Sequence, residues 1–212
     1  MADDSPVLPL TVTSDPPDGA ITLDGQLRRP ARADLLAVVA HAHPQYGGSM
    51  HVNVVTALFD ALPAVGVAVA RFDFRGVGRS SGRHDGGPGE QRDLLAVVDH
   101  LVDTIDLPVV LCGYSFGAEV ALSCDHERAV GWFGVAPIGR LFSTWPAGED
   151  HRPTVLAVAE HDQYAPPAAV SAFTAAWEAT TIGEVAMADH FFAGRTAAVV
   201  DAFVDALPRF RA

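Results

Sequence analysis

At 212 residues, with 49% apolar and 19% charged residues, the chain has the size and balance of one globular domain with a large core. Its formal net charge is −12, and all 14 basic residues are arginine. So acidic a surface repels phosphate backbones and anionic lipid, which argues against nucleic-acid and membrane-surface binding.

The start, Met1-Ala2-Asp3-Asp4-Ser5-Pro6, places acids where a signal peptide needs basic residues, and no apolar run approaches the ~20 residues that span a bilayer. A cytoplasmic protein is expected. Cys112 and Cys124 form neither a disulfide framework nor a metal pattern, and two buried free thiols are expected. Residues 1–19 are Pro- and Asp-rich and predict an irregular N-terminal segment or a weak edge strand; the folded domain is expected over 20–212.

Segment 20–27 reads as one strand of a hairpin, 35–40 as a buried strand, 52–62 as a helix and 67–72 as a strand. Apolar residues at 94, 98, 101, 102 and 105 give 90–105 a helical period. Strand 109–112, helix 116–124 and strand 129–135 follow. Strand 154–159, helix 167–180, a last strand over 184–187 and a closing helix over 195–207 complete the chain. Short buried strands alternating with helices imply an α/β fold, a mostly parallel sheet with helices on both faces.

The most informative stretch is Gly113-Tyr114-Ser115-Phe116-Gly117 between a strand and a helix. G-x-S-x-G in that setting is the nucleophile elbow, a sharp turn that lifts a serine hydroxyl off the sheet. It makes Ser115 the candidate nucleophile and the Phe116 N–H a candidate oxyanion donor. Such a serine needs an acid and then a histidine later in the chain, in loops at the carboxyl ends of strands. Asp162 follows the 154–159 strand and His190 follows the last one. His190 would take the Ser115 proton and return it to the leaving group, and Asp162 would orient the imidazole. Glu160 and Asp189 are the rival acids, and His161 is a rival base that would sit beside the acid.

The loop His41-Ala42-His43-Pro44-Gln45-Tyr46-Gly47-Gly48 is expected to supply the second oxyanion donor, from Gln45 first or Tyr46. His41, His43 and His51 have the residue type of metal ligands without a ligand-set spacing, and stapling hydrogen bonds are the expected use. Neither metal nor cofactor is called for. In the segment from Arg71 to Gly82, three arginines near glycines suggest an anion cradle; the structural alternative has Asp73, Arg75 and Ser80 pinning a sharp loop at the edge of the site.

Together these five segments resemble the α/β-hydrolase superfamily over about residues 20–210. The chain is most similar to small cap-less bacterial serine hydrolases related to dienelactone-hydrolase-like and peptidase-like esterases. The resemblance implies a single-domain α/β-hydrolase fold and puts the catalytic roles on Ser115, Asp162 and His190. True dienelactone hydrolases use cysteine as nucleophile, a departure here. The segment 137–153 is too short for a helical cap, so an open, shallow site is expected, with Leu141, Phe142 and Trp145 as its wall or as anchors of their loop. The expected activity is hydrolysis of small carboxylic esters or thioesters through an acyl-enzyme, by a monomer or homodimer. An amidase or peptidase, or a non-catalytic hydrolase-like binding protein, is the alternative.

Overall fold

The computed structural model describes residues 5–14 and 19–212. Its eight strands are β1 (Val7–Ser14), β2 (Ile21–Arg28), β3 (Leu35–Ala40), β4 (Val67–Phe72), β5 (Val109–Tyr114), β6 (Ala129–Val135), β7 (Thr154–Ala159) and β8 (Thr180–Val185). Six helices connect them: α1 (Asn53–Ala61), α2 (Pro88–Ile105), α3 (Phe116–Leu122), α4 (Pro146–Glu149), α5 (Pro167–Phe173) and α6 (Thr196–Phe210). All eight strands form one sheet in the order β1-β2-β4-β3-β5-β6-β7-β8. β1 and β2 pair antiparallel, as do β2 and β4; from β4 to β8 every pair is parallel.

The alternation of side chains along each strand makes two cores from one apolar run. In β3, Leu36, Val38 and Ala40 face one side, while Leu35, Ala37 and Val39 face the other. The first face is covered by Leu94, Val97, Val98 and Leu101 of α2, by Val120 of α3 and by Val170 of α5. The second is covered by Val55, Leu58 and Phe59 of α1 and by Val199, Phe203 and Phe210 of α6. Two-sided coverage is why β3, β4, β5 and β7 are apolar almost without interruption.

Of the two readings of 1–19, irregular segment or edge strand, the structure has the edge strand: β1 pairs with β2 over its full eight residues, and 1–4 and 15–18 lie outside the described residues. Two expectations need correcting. The last strand is Thr180–Val185, not 184–187. It is a half-wet edge strand, so it lacks the apolar run by which the inner strands are read, and Met187 beyond it is exposed at φ 58°. The helix expected over 167–180 stops at Phe173. Thr174 turns its hydroxyl onto the Val170 carbonyl, and the chain bends so that Trp177 packs on Phe173 and Trp145.

Cys112 and Cys124 are free and buried, and burial pushes both thiols up, Cys124 to about 12. No helix among the described residues is long and apolar enough to cross a membrane.

Candidate active site

The site lies where β5 ends and α3 begins. Ser115 takes φ 55° and ψ −116°, a conformation β-carbon-bearing residues avoid, and its N–H still donates to the Val135 carbonyl as if the strand continued. The two glycines of the elbow are required by contact. A Cβ on Gly113 would fall 2.0 Å from the Gly117 carbonyl oxygen, and one on Gly117 would fall 2.4 Å from that of Ala40. The helix can therefore start directly over the sheet only if both positions lack a side chain.

From that turn the Ser115 hydroxyl reaches His190 Nε2 at 3.0 Å, and His190 Nδ1 reaches Asp162 Oδ2 at 2.7 Å. Asp162 has no proton to give, so Nδ1 carries the hydrogen and donates it, and the Nε2 lone pair is left to accept from Ser115. Burial alone would raise the Asp162 carboxyl. The hydrogen bond from His190 and the amides of Ala165 and Tyr164 on Oδ1 outweigh it and hold the carboxyl below its ordinary range. Asp162 and His190 come from neighbouring loops laced together by Glu160 N–H to the Val185 carbonyl and His161 N–H to the Ala188 carbonyl. Tyr114 fixes the backbone of His190 through its hydroxyl at 2.8 Å, and the Tyr164 ring stands edge-on to the imidazole at 5.0 Å.

The rivals are occupied elsewhere. Glu160 is exposed and accepts from the Met187 N–H, Asp189 caps the Phe191 N–H, and His161 lies 3.9 Å from Glu160 at the surface.

In the loop after β3, the N–H groups of both expected oxyanion donors are taken up within their own turn. The Gln45 N–H is held by His43 Nδ1 at 3.2 Å, and the Tyr46 N–H by the His43 carbonyl at 3.1 Å, because 44–46 winds into a single 3-10 turn capped by His43. The N–H of His43 itself has no acceptor among the described residues, nor has that of Phe116 at the first position of α3. His41 is a staple. Its Nδ1 meets the Ala42 carbonyl at 2.6 Å and its Nε2 accepts from the Phe74 N–H, and burial lowers its pKa to about 4.

The arginine-rich segment is structural. Arg75 grips Asp93 through Nε and Nη2 in a buried pair, Arg79 pairs with Asp24, and Arg71 spans Gln26 and Thr56 with its guanidinium over Phe59. Asp73 accepts the Met50 N–H, and Ser80 bonds the Asp73 carbonyl.

Ser115 and His190 open into a cavity of about 890 Å³. Its lining is mainly apolar, with Val52, Phe116, Ile138 and Leu141 among it, and Tyr46, Tyr164 and Phe191 stand exposed at its rim. Of the three expected wall residues only Leu141 lines it. Phe142 and Trp145 face away, into an aromatic cluster with Phe173 and Trp177 that anchors the loop.

Sequence reasoning passed over Glu119, one helical turn after Ser115. Its buried carboxylate accepts four backbone N–H groups, from Ile138 (3.1 Å), Gly139 (2.9 Å), Arg140 (3.3 Å) and Leu141 (2.6 Å). Burial pushes this carboxyl up against the four amides, which favour its ionised form. An acid in the helical run 116–124 was the available signal.

A family model described as serine aminopeptidase, S33, matches residues 35–147, just over half of the chain. That span includes Ser115 and ends before Asp162 and His190. A solved α/β serine hydrolase of Xanthomonas campestris, described as lacking a lid, is 29% identical with a TM-score of 0.84, over 97% of this chain and 96% of its own. An alpha-beta serine hydrolase homologue of Coxiella burnetii is 28% identical at a TM-score of 0.82, over 93% of this chain and 97% of that one. The protein RP471 of Rickettsia prowazekii (strain Madrid E) is 39% identical over 95 residues, 44% of this chain and 40% of its own length, so the match spans two-fifths of that relative. With an eight-stranded sheet, a strained serine elbow and this family match, the chain belongs to the serine aminopeptidase S33 family of α/β hydrolases.

Proposed function

We propose that the protein is a serine hydrolase that cleaves small carboxylic esters or thioesters through an acyl-enzyme, with Ser115, His190 and Asp162 as its catalytic triad. The observation that carries the reading is the continuous chain of hydrogen bonds from Ser115 through His190 to Asp162, opening on an apolar cavity. As Ser115 Oγ attacks the acyl carbon, its proton passes to His190 Nε2, and the imidazolium formed is stabilised by Asp162. The same proton then goes to the departing alcohol or thiol. Water then gives a proton to Nε2 as its oxygen attacks the acyl carbon, and Nε2 returns that proton to Ser115 Oγ as the bond to the acyl group breaks and the acid leaves. The charge on the tetrahedral oxygen falls to the Phe116 and His43 N–H groups, two amides of cavity-lining residues with no acceptor among the described residues.

The family description favours a second reading, release of an amino-terminal residue from peptides. Such a substrate brings an ammonium group, which calls for a free carboxylate in the cavity. Among the described residues the one acid that lines the cavity is Glu119, and four amides fill its lone pairs. The lining therefore supports esters over aminopeptidase substrates.

A fluorophosphonate probe tests the nucleophile and a panel of 4-nitrophenyl esters against aminoacyl 4-nitroanilides tests the class. Wild type should be labelled and should turn over the esters, and Ser115→Ala should lose the label and about a thousandfold or more of kcat. Ser115→Ala retaining more than about a tenth of wild-type rate would remove Ser115 from its role. Faster turnover of the anilides would install the peptidase reading.

A further inference from the structure

One charged side chain in the cavity has no partner. Arg140, an exposed residue, lines the cavity, and its guanidinium makes neither an ion pair nor a hydrogen bond among the described residues. It is the only Lys or Arg in the lining. The three arginines of the nearby 71–79 segment are each satisfied within the protein.

The backbone beneath Arg140 is unusually fixed. Its own N–H and those of its three neighbours, 138, 139 and 141, all end on the carboxylate of Glu119. Glu119 rises from the helix that Ser115 starts, so one rigid unit carries both the nucleophile and the base of the Arg140 side chain. With Glu119 consumed by amides, the cavity offers one cation and no competing anion to whatever enters it.

We propose that the physiological substrate carries a carboxylate, and that Arg140 binds it from the strap that Glu119 holds in place. This rests on the hydrolase reading and adds the substrate class to it. A planar guanidinium pairs with a carboxylate through two parallel hydrogen bonds, giving orientation as well as attraction. The apolar remainder of the lining suits a short hydrocarbon spacer between the charged end and the scissile bond.

Two matched pairs of esters test it, differing only in a carboxylate. On the acyl side, 4-nitrophenyl hydrogen adipate is set against 4-nitrophenyl hexanoate; on the alcohol side, the butyrate of 3-hydroxybenzoate is set against phenyl butyrate. Fluorophosphonate labelling is run in parallel, and the readout is the ratio of kcat/KM within each pair. Wild type should favour the anionic member of one pair about tenfold, and the preference should shrink as salt is added. Arg140→Gln should bring that ratio close to one, and Arg140→Lys should restore part of it. An enzyme that labels yet shows no preference in either pair overturns this proposal alone. So does a preference that survives Arg140→Gln. An enzyme that neither labels nor hydrolyses any of the four overturns the hydrolase reading and this one with it.

Discussion

The Tyr114 hydroxyl donates to the His190 carbonyl oxygen at 2.8 Å. The residue before the proposed nucleophile thus holds the backbone of the residue proposed to receive its proton. Burial, then the charges of Asp162 and Asp189, push the phenol up to about 12, so it stays a donor across the working pH range. Tyr114→Phe removes the bond and leaves a buried carbonyl unpaired. The expected cost is about 1–3 kcal/mol of stability by urea titration. The expected activity loss is in kcat with little change in KM, because the imidazole loses its aim and the substrate its binding surface not at all.

Glu119→Gln puts an amide NH₂ where the strap presents only donors. Two of the four N–H groups at 138–141 lose their acceptor. The urea midpoint should fall by the equivalent of about 2 kcal/mol or more. KM for every ester should rise, since the wall formed by Ile138, Arg140 and Leu141 is no longer held. Unchanged KM with a lowered midpoint would show that the strap keeps its place without the carboxylate.

His41 gives stability an acid slope. Its folded pKa is about 4, pushed down chiefly by burial, against 6.5 in the unfolded chain. Between those values the unfolded state binds the proton and the folded state does not, so falling pH favours unfolding. The contribution is complete above about pH 6.5 and is lost by about pH 4, a change of about 3 kcal/mol. Urea titrations of wild type and His41→Gln across that range should converge at the acid end.

Glycine substitutions should separate contact from conformation. Gly113→Ala drives a methyl into the Gly117 carbonyl at 2.0 Å, backbone against backbone, and should prevent folding or cost more than about 4 kcal/mol. Gly194 sits at φ 69° with nothing within 4 Å of a Cβ. Gly194→Ala should cost only the left-handed strain, about 1–2 kcal/mol, read from thermal or urea unfolding.

The inner strands were readable because both of their faces are dry. The run from Leu35 to Ala40 is short and apolar throughout, as a strand covered on both faces must be. The edge strands were readable only in outline. β1 and β8 each have one neighbour and a wet face, so they carry threonine, glycine and glutamate where a buried strand carries valine. The elbow was readable for the opposite reason: two glycines and a serine at fixed offsets answer a steric demand written in consecutive residues. Asp162 and His190 could be placed by strand order alone, since the sheet brings successive loops to one edge. The amides of the loop after β3 could not, because the direction of an amide depends on whether 44–46 winds into a turn, and that is decided by His43 folding its ring over its own successors. Glu119 escaped for a related reason. Nothing in a helical segment says that a loop twenty residues later will lay four amides across it.

Ser115 holds its place at φ 55°, ψ −116° against the preference of every residue except glycine. A near neighbour in sequence space, the one with glycine at 115, relaxes the turn and lacks the proposed nucleophile. Selection for heat resistance or expression yield alone would drift toward that neighbour. An engineering campaign on this scaffold must screen for turnover at every round, or it will improve the fold by erasing the reaction.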